Sequence, residues 1–267
     1  MAISFLNLGA LGSSGNAITL GQPATPAVND IWIMVIQTAN QAIATPTNAT
    51  AGTWAEIAAQ TGTGTAATAG SVMLGFYWHR WTTTTGNITV ADSGNHQIAR
   101  IAAYRGCKTS GDPWNAVTAM ASGTYNSSTN IRGADITTTV DNCRLLHAVA
   151  HAWDVADQSC LTCQANSPLS SAATRINNSL ATGTGGGIFL GEALMATADT
   201  ITGATEGFTE LPNGSTPNPT NYIDCTVALE PVVSATSIKT VDGLAQASVK
   251  TVNGLAIASV KTVEGLA

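Results

Sequence analysis

The stretch Ser71–Thr82, "SVMLGFYWHRWT", decides the fold class. Read as a strand, it sends Val72, Leu74, Phe76 and Trp78 to one side and Met73, Gly75, Tyr77, His79 and Trp81 to the other. Both sets are apolar enough to be covered, which places the segment mid-sheet with material on each face. One face meets the opposing sheet of a sandwich. The other meets a loop, a neighbouring subunit or a ligand, and in the last case Tyr77, His79 and Trp81 form a surface recognition platform for a glycan.

The same rhythm runs outward in both directions. Strands are predicted at "AISFLN", "NAITL", "DIWIMVIQT" and "TWAEIA" before this stretch. After it come "NITVA", "HQIARIAAYRG", "ADITTTV", "CRLLHAVAHAW", "GIFLGEALMATA" and "NYIDCTVALEP". Strands about ten residues apart, with Gly, Asn, Ser and Pro between them, predict a β-sandwich or jelly roll. Only "PWNAVTAMA" and "SSAATRINNSLA" have helical spacing, and both are short. The fold class is therefore all-β: a jelly-roll-like β-sandwich body over residues 1–236, followed by a short C-terminal β-repeat arm over 237–267.

Composition agrees with this. Only 10% of the 267 residues are charged, against roughly 25% in an average soluble protein. Thr, Ser, Asn, Ala and Gly wet the surface instead, as in "TGTGTAATAGS", and these suit exposed strands and turns. Up to Thr236 there are seven basic and fourteen acidic residues, a body with no footprint for nucleic acid. No apolar run approaches the roughly 20 residues that span a bilayer, and the start lacks the basic and apolar regions of a signal peptide. The expectation is a chain made in the cytoplasm with no membrane partner. Five cysteines, Cys107, Cys143, Cys160, Cys163 and Cys225, leave at least one unpaired, and reduced thiols are expected.

The search for chemistry returns no catalytic, cofactor-binding or metal set. "GALGSSG" leads into a second strand, so no helix N-terminus is available for phosphate. "GTGGG" at 183–187 lacks the Lys-Ser or Lys-Thr of a phosphate-binding loop. His147 and His151, with the C-x-x-C of Cys160 and Cys163, offer zinc ligand types. Four residues apart on a strand, however, two histidines stand about 13 Å from each other. Asp154 with Asp157, and Glu206 with Glu210, fall in turn-like regions and read as solvated loop acids.

The chain ends by repeating itself. At a period of eleven the units begin at Ser237, Ser248 and Ser259, and Asp242-Gly243, Asn253-Gly254 and Glu264-Gly265 occupy the same place in each. Asp-Gly and Asn-Gly are the strongest short hairpin signals. A hairpin turning at Asn253-Gly254 sets Val252 opposite Leu255, Lys250 opposite Ile257 and Ser248 opposite Ser259. Its other face sets Ala245, Ala247, Val249 and Thr251 against Ala256, Ala258, Val260 and Thr262. Such hairpins are marginal alone. Their turn and apolar positions, Val241, Asp242, Gly243, Leu244, Val249, Val252, Asn253, Gly254, Leu255, Ile257, Val260, Val263, Gly265 and Leu266, are the expected assembly residues.

The series "GNAITL", "DIWIMVI", "TWAEI", "VMLGFYWHRWT", "IARIAAYRG" resembles the jelly-roll modules of tailed-bacteriophage virion proteins, over roughly residues 3–230. The "SVKTVNGLA" units resemble C-terminal repeats of phage structural proteins. The resemblance implies a non-enzymatic structural protein on the virion exterior, most readily capsid decoration, anchored through its repeats. Its expected partners are other virion proteins and copies of itself. The alternative it implies is a tail-fibre or receptor-binding protein that takes a host-surface glycan, with the repeats as an oligomeric stalk.

Overall fold

The computed structural model describes residues 2–48, 53–83, 86–125, 131–153, 161–181, 183–202, 207–212 and 220–232; beyond these it describes the short strands at 240–241, 244–245, 251–252 and 255–256. The chain divides after Val232 into a large unit, Ala2–Val232, and a small C-terminal one. Every regular element among the described residues is a strand, and the chain is an all-β sandwich.

Two antiparallel sheets form the centre of the large unit. The first runs Ser4–Leu8, Gln97–Arg105, Ile31–Thr38, Val72–Arg80, Ala55–Glu56; Gly12–Ser14 adds to Gln97–Arg105 and Thr61–Thr63 to Val72–Arg80. The second runs Trp114–Val117, Thr220–Leu229, Cys143–His151, Gly186–Met195, Ser170–Leu180, with Ala121–Tyr125 added to Thr220–Leu229. Each sheet comes from one half of the chain, and the strand order is the same in both. The first strand of the half is followed by the last, then by two successive central strands, then by a strand that precedes the second of these in sequence.

Each half also builds a small three-stranded sheet by a shared rule. In the first half Ile88–Val90 lies between Ile18–Leu20 and Thr47–Asn48; in the second, Gly207–Pro212 lies between Ile131–Arg132 and Leu161–Asn166. The large unit is thus a topological duplication.

Packing explains the apolar sequence of the central strands. Ile31, Ile33, Val35, Val72, Leu74 and Phe76 of the first sheet share one buried cluster with Leu146, Ala148, Ala150, Ile188, Leu190, Ile223 and Val227 of the second. The opposite face of the first sheet, with Trp32, Met34, Ile36, Tyr77 and Ile101, is buried under Ile18, Leu20, Ile88 and Val90 of its small sheet and under Ile43 and Trp54. The outer face of the second sheet is covered likewise, by Ile136, Ile201 and Phe208 and by Ile131 and Leu161. With two covered faces, all eight residues of Ile31–Thr38 are buried. Burying each large side chain contributes about 1.5–3 kcal/mol, so these strands anchor the unit.

The alternation expected for Ser71–Thr82 is observed: Val72, Leu74, Phe76 and Trp78 face the opposing sheet, and Met73, Tyr77 and Trp81 face the outer layer. Two helical expectations are corrected. "PWNAVTAMA" contains the strand Trp114–Val117, and "SSAATRINNSLA" becomes the strand Ser170–Leu180. Both carry bulges, between Trp114 and Ala116, between Ser170 and Ala173, and between Thr174 and Ile176. An inserted residue breaks the two-residue alternation, which leaves a spacing that imitates a helix.

In the C-terminal unit two local ladders are described. Thr240 pairs with Ala245 and Val241 with Leu244; eleven residues on, Thr251 pairs with Ala256 and Val252 with Leu255.

Candidate functional site

The aromatic strand places its three candidate recognition residues under cover. Tyr77 is fully buried and His79 is 2% exposed, while Trp81 is half-buried. This corrects the expectation of a surface platform, because Ile43 and Trp54 pack over that face together with the small sheet. The Tyr77 hydroxyl receives a 2.7 Å hydrogen bond from Gln60 Nε2 and donates toward Glu56 Oε1 at 3.3 Å. Burial, and then the Glu56 charge, push its pKa well above the ordinary tyrosine value. Trp54 lies tilted on the His79 ring at 5.4 Å and donates its Nε1 proton to Asn48 Oδ1 at 2.8 Å.

His147 and His151 share the outer face of Cys143–His151 and are both fully buried. Their roles differ. His147 Nε2 lies 3.2 Å from Asp224 Oδ2, itself buried, and the ring stacks on Phe208 at 5.4 Å. His151 Nδ1 accepts the Trp153 backbone N–H at 3.3 Å, so the neutral ring carries its proton on Nε2. Burial pushes the His151 pKa down to about 4. Cys163 lies on Leu161–Asn166, in the layer that covers this face. Among the described residues no group of three or more His, Cys, Asp or Glu is arranged to hold a metal ion. Cys107, Cys143 and Cys225 are buried free thiols. Cys160, Asp154, Asp157 and Glu206 lie outside the described residues, and Glu210 sits on Gly207–Pro212, opposite Ile131 and Cys163.

The glycine-rich stretch before Gly186–Met195 has a structural purpose. Gly183, Gly185 and Gly186 all adopt positive φ, a conformation that glycine takes without strain. The turn they make carries Thr184 onto the first half of the chain, where its N–H donates to Asn95 Oδ1 at 3.1 Å and its hydroxyl meets His96 Nδ1 at 3.1 Å. His96 Nε2 in turn contacts Gln37 Oε1 at 3.0 Å. This polar chain joins the two halves at one end of the core.

The strand end "AYRG" is likewise structural. Tyr104 is buried, Arg105 donates to both carboxylate oxygens of buried Asp30 at 2.8 and 2.7 Å, and Gly106 takes a φ of 86° with no room for a Cβ beside the Ala2 carbonyl. Sequence reasoning missed the buried charges, Asp30, Glu192 and Asp224. Their signal was a single acid inside or beside an apolar run, as in "GIFLGEALM" and "NYIDCTVAL".

Of the expected assembly residues, Val241, Leu244, Val252 and Leu255 form the innermost pairs of the two local ladders. Val252 opposite Leu255 is the register expected for a turn at Asn253-Gly254. Asp242, Gly243, Val249, Asn253, Gly254, Ile257, Val260, Val263, Gly265 and Leu266 lie outside the described residues.

No protein-family model, no curated protein and no solved structure matches this chain. Fold and geometry together define the class: an all-β sandwich protein.

Proposed function

We propose that the chain is a non-enzymatic structural protein of a bacteriophage virion exterior, a capsid-decoration protein in which the sandwich body faces outward and the C-terminal repeats attach it. The observation that carries this reading is the recurrence of one ladder at a spacing of eleven residues, Val241 with Leu244 and then Val252 with Leu255. Two-residue ladders bury too little to be stable alone, so the surface they lack is supplied by a partner, either another virion protein or another copy. The body supports the reading in a second way. Each half pairs a large antiparallel sheet with a small one, an arrangement that suits two jelly rolls in tandem and gives a stiff, Lys-poor block.

Virions purified on a density gradient and analysed by mass spectrometry test the proposal. The chain is expected in many copies per particle and exposed to external protease. Particles that lack it would overturn the reading.

A further inference from the structure

Every ladder described in Ala2–Val232 pairs two strands from the same half of the chain. The halves also agree in register. In the first, Tyr104 lies opposite Ile31 and Ile31 opposite Arg80; at the other end of these strands Gln97 lies opposite Thr38 and Thr38 opposite Met73. In the second, Leu229, Arg144 and Leu194 stand in line the same way, as do Tyr222, His151 and Gly187. The side chains that face the opposite sheet consequently fall at matching places, Ile33 with Leu146, Phe76 with Leu190 and Ile98 with Ile223. A slip of one residue in any of these strands would have turned its side chains to the other face.

Each half has a core of its own. The cluster around Trp32 and Tyr77 draws only on residues before Gly106, and those around Phe208 and Tyr125 only on residues after Pro113. What the halves share is the central cluster, where the two large sheets meet. Polar contacts link the halves as well: Arg100 donates to Asn178 Oδ1 at 3.0 Å, Asn221 donates to the Gly70 carbonyl at 2.7 Å, and Lys108 Nζ lies 3.2 Å from Glu230. An apolar centre with polar contacts beside it is the anatomy of a protein–protein interface. Among the described residues the backbones of the halves bridge at Cys107 with Pro231, and the connection at 109–112 is exposed.

We propose that the body is a fused dimer, in which the inner face of each large sheet is a docking surface and the partner it fits is a second module of the same topology. That partner is the other half, not an identical copy. Val35 and Ala102 on one face stand where Ala148 and Val227 stand on the other, so bulk is distributed differently over the two faces and each is shaped for the other. The inference holds whether or not the repeats attach the protein to a particle.

Full-length chains that carry a protease site either between Ser110 and Gly111 or between Thr65 and Ala66, both in exposed loops, are cut in the native state. Each cut protein is mixed with its ¹⁵N-labelled counterpart across a urea series and followed by circular dichroism; after the urea is removed, native mass spectrometry counts the hybrid pairs. Parting the halves breaks no ladder, so after the first cut hybrids are expected to reach their statistical proportion at urea concentrations that leave the β signal intact. After the second cut, parting must pull Val72–Arg80 from Ile31–Thr38, and hybrids are expected only where the β signal falls. A Lys-specific protease makes the first cut in the unaltered chain as well, since Lys108 is the one lysine before the repeats. The proposal is overturned if hybrids after the first cut appear only with loss of the β signal, if none form, or if the two cuts behave alike.

Discussion

Arg175 donates to Glu192 Oε1 at 2.6 Å, and the Arg144 guanidinium stands 3.6 Å from that same oxygen. Glu192 is 1% exposed. The two arginines extend the contact to the N-terminal strand, since Arg175 lies over the Phe5 ring at 4.2 Å and Arg144 donates to the Ile3 carbonyl at 3.1 Å. One carboxylate thus fixes two cations that join the first strand to the opposite sheet. Glu192→Ala leaves both cations without their counter-charge and is expected to lower stability by about 3 kcal/mol. Glu192→Gln should cost less. Urea unfolding midpoints measure it, and a loss below about 1 kcal/mol, the value of an exposed ion pair, would contradict this account.

The buried His151 predicts an acid sensitivity with a definite sign. Its pKa falls from 6.5 to about 4 on burial. Between those values the unfolded ring carries a proton that the folded ring does not, so stability declines as pH drops through that window, by roughly 3 kcal/mol in full. Above pH 6.5 the ring contributes nothing to the pH dependence. Thermal unfolding at pH 7.5 and pH 4.5 should show a smaller drop in His151→Phe than in the parent chain. Equal drops would mean that other groups carry the acid sensitivity.

Gly186 adopts a φ of 137°, and a Cβ there would lie 2.4 Å from Gln37 Nε2. Gly186→Ala is expected to destabilise by about 2 kcal/mol through backbone strain and displacement of Gln37. The control is Gly70→Ala, which has positive φ but nothing within 4 Å of the added atom; it should lose about 1 kcal/mol. Denaturation curves of the two variants separate strain from clash.

Strands buried on both faces were legible in the sequence because nothing but continuous apolar character could produce them, and Ile31–Thr38 and Val72–Arg80 are such strands. The cover on the second face was not legible. Alternation shows that Tyr77 and His79 need a covering layer, but not that Ile43, Trp54 and the small sheet supply it in place of a partner or ligand. The duplication was hidden because equivalent strands such as "DIWIMVIQT" and "CRLLHAVAH" share burial rather than identity, and strand pairing is long-range. The two helical misreadings trace to bulges. His79 stood out in the sequence, while Trp32 meets it only through cross-strand register.

Three thiols should be inert in the folded protein. Cys107, Cys143 and Cys225 are buried, and burial pushes each pKa up to about 12. Without thiolate they do not attack disulfide reagents. Labelling with Ellman's reagent at pH 8 is expected to miss these three until urea is added. Rapid labelling of any of them in native protein, located by peptide mapping, would contradict the packing described.

The attachment role of the repeats is tested most directly by sedimentation velocity of the full chain beside a chain ending at Thr236, each alone and mixed with particles that lack the protein. The described buried clusters are built from residues of Ala2–Val232, so the shortened chain should keep its thermal midpoint. It should sediment as a monomer and stay free of the particles, whereas the full chain oligomerises or co-sediments with them. A shortened chain that assembles and binds particles as the full chain does would contradict the account.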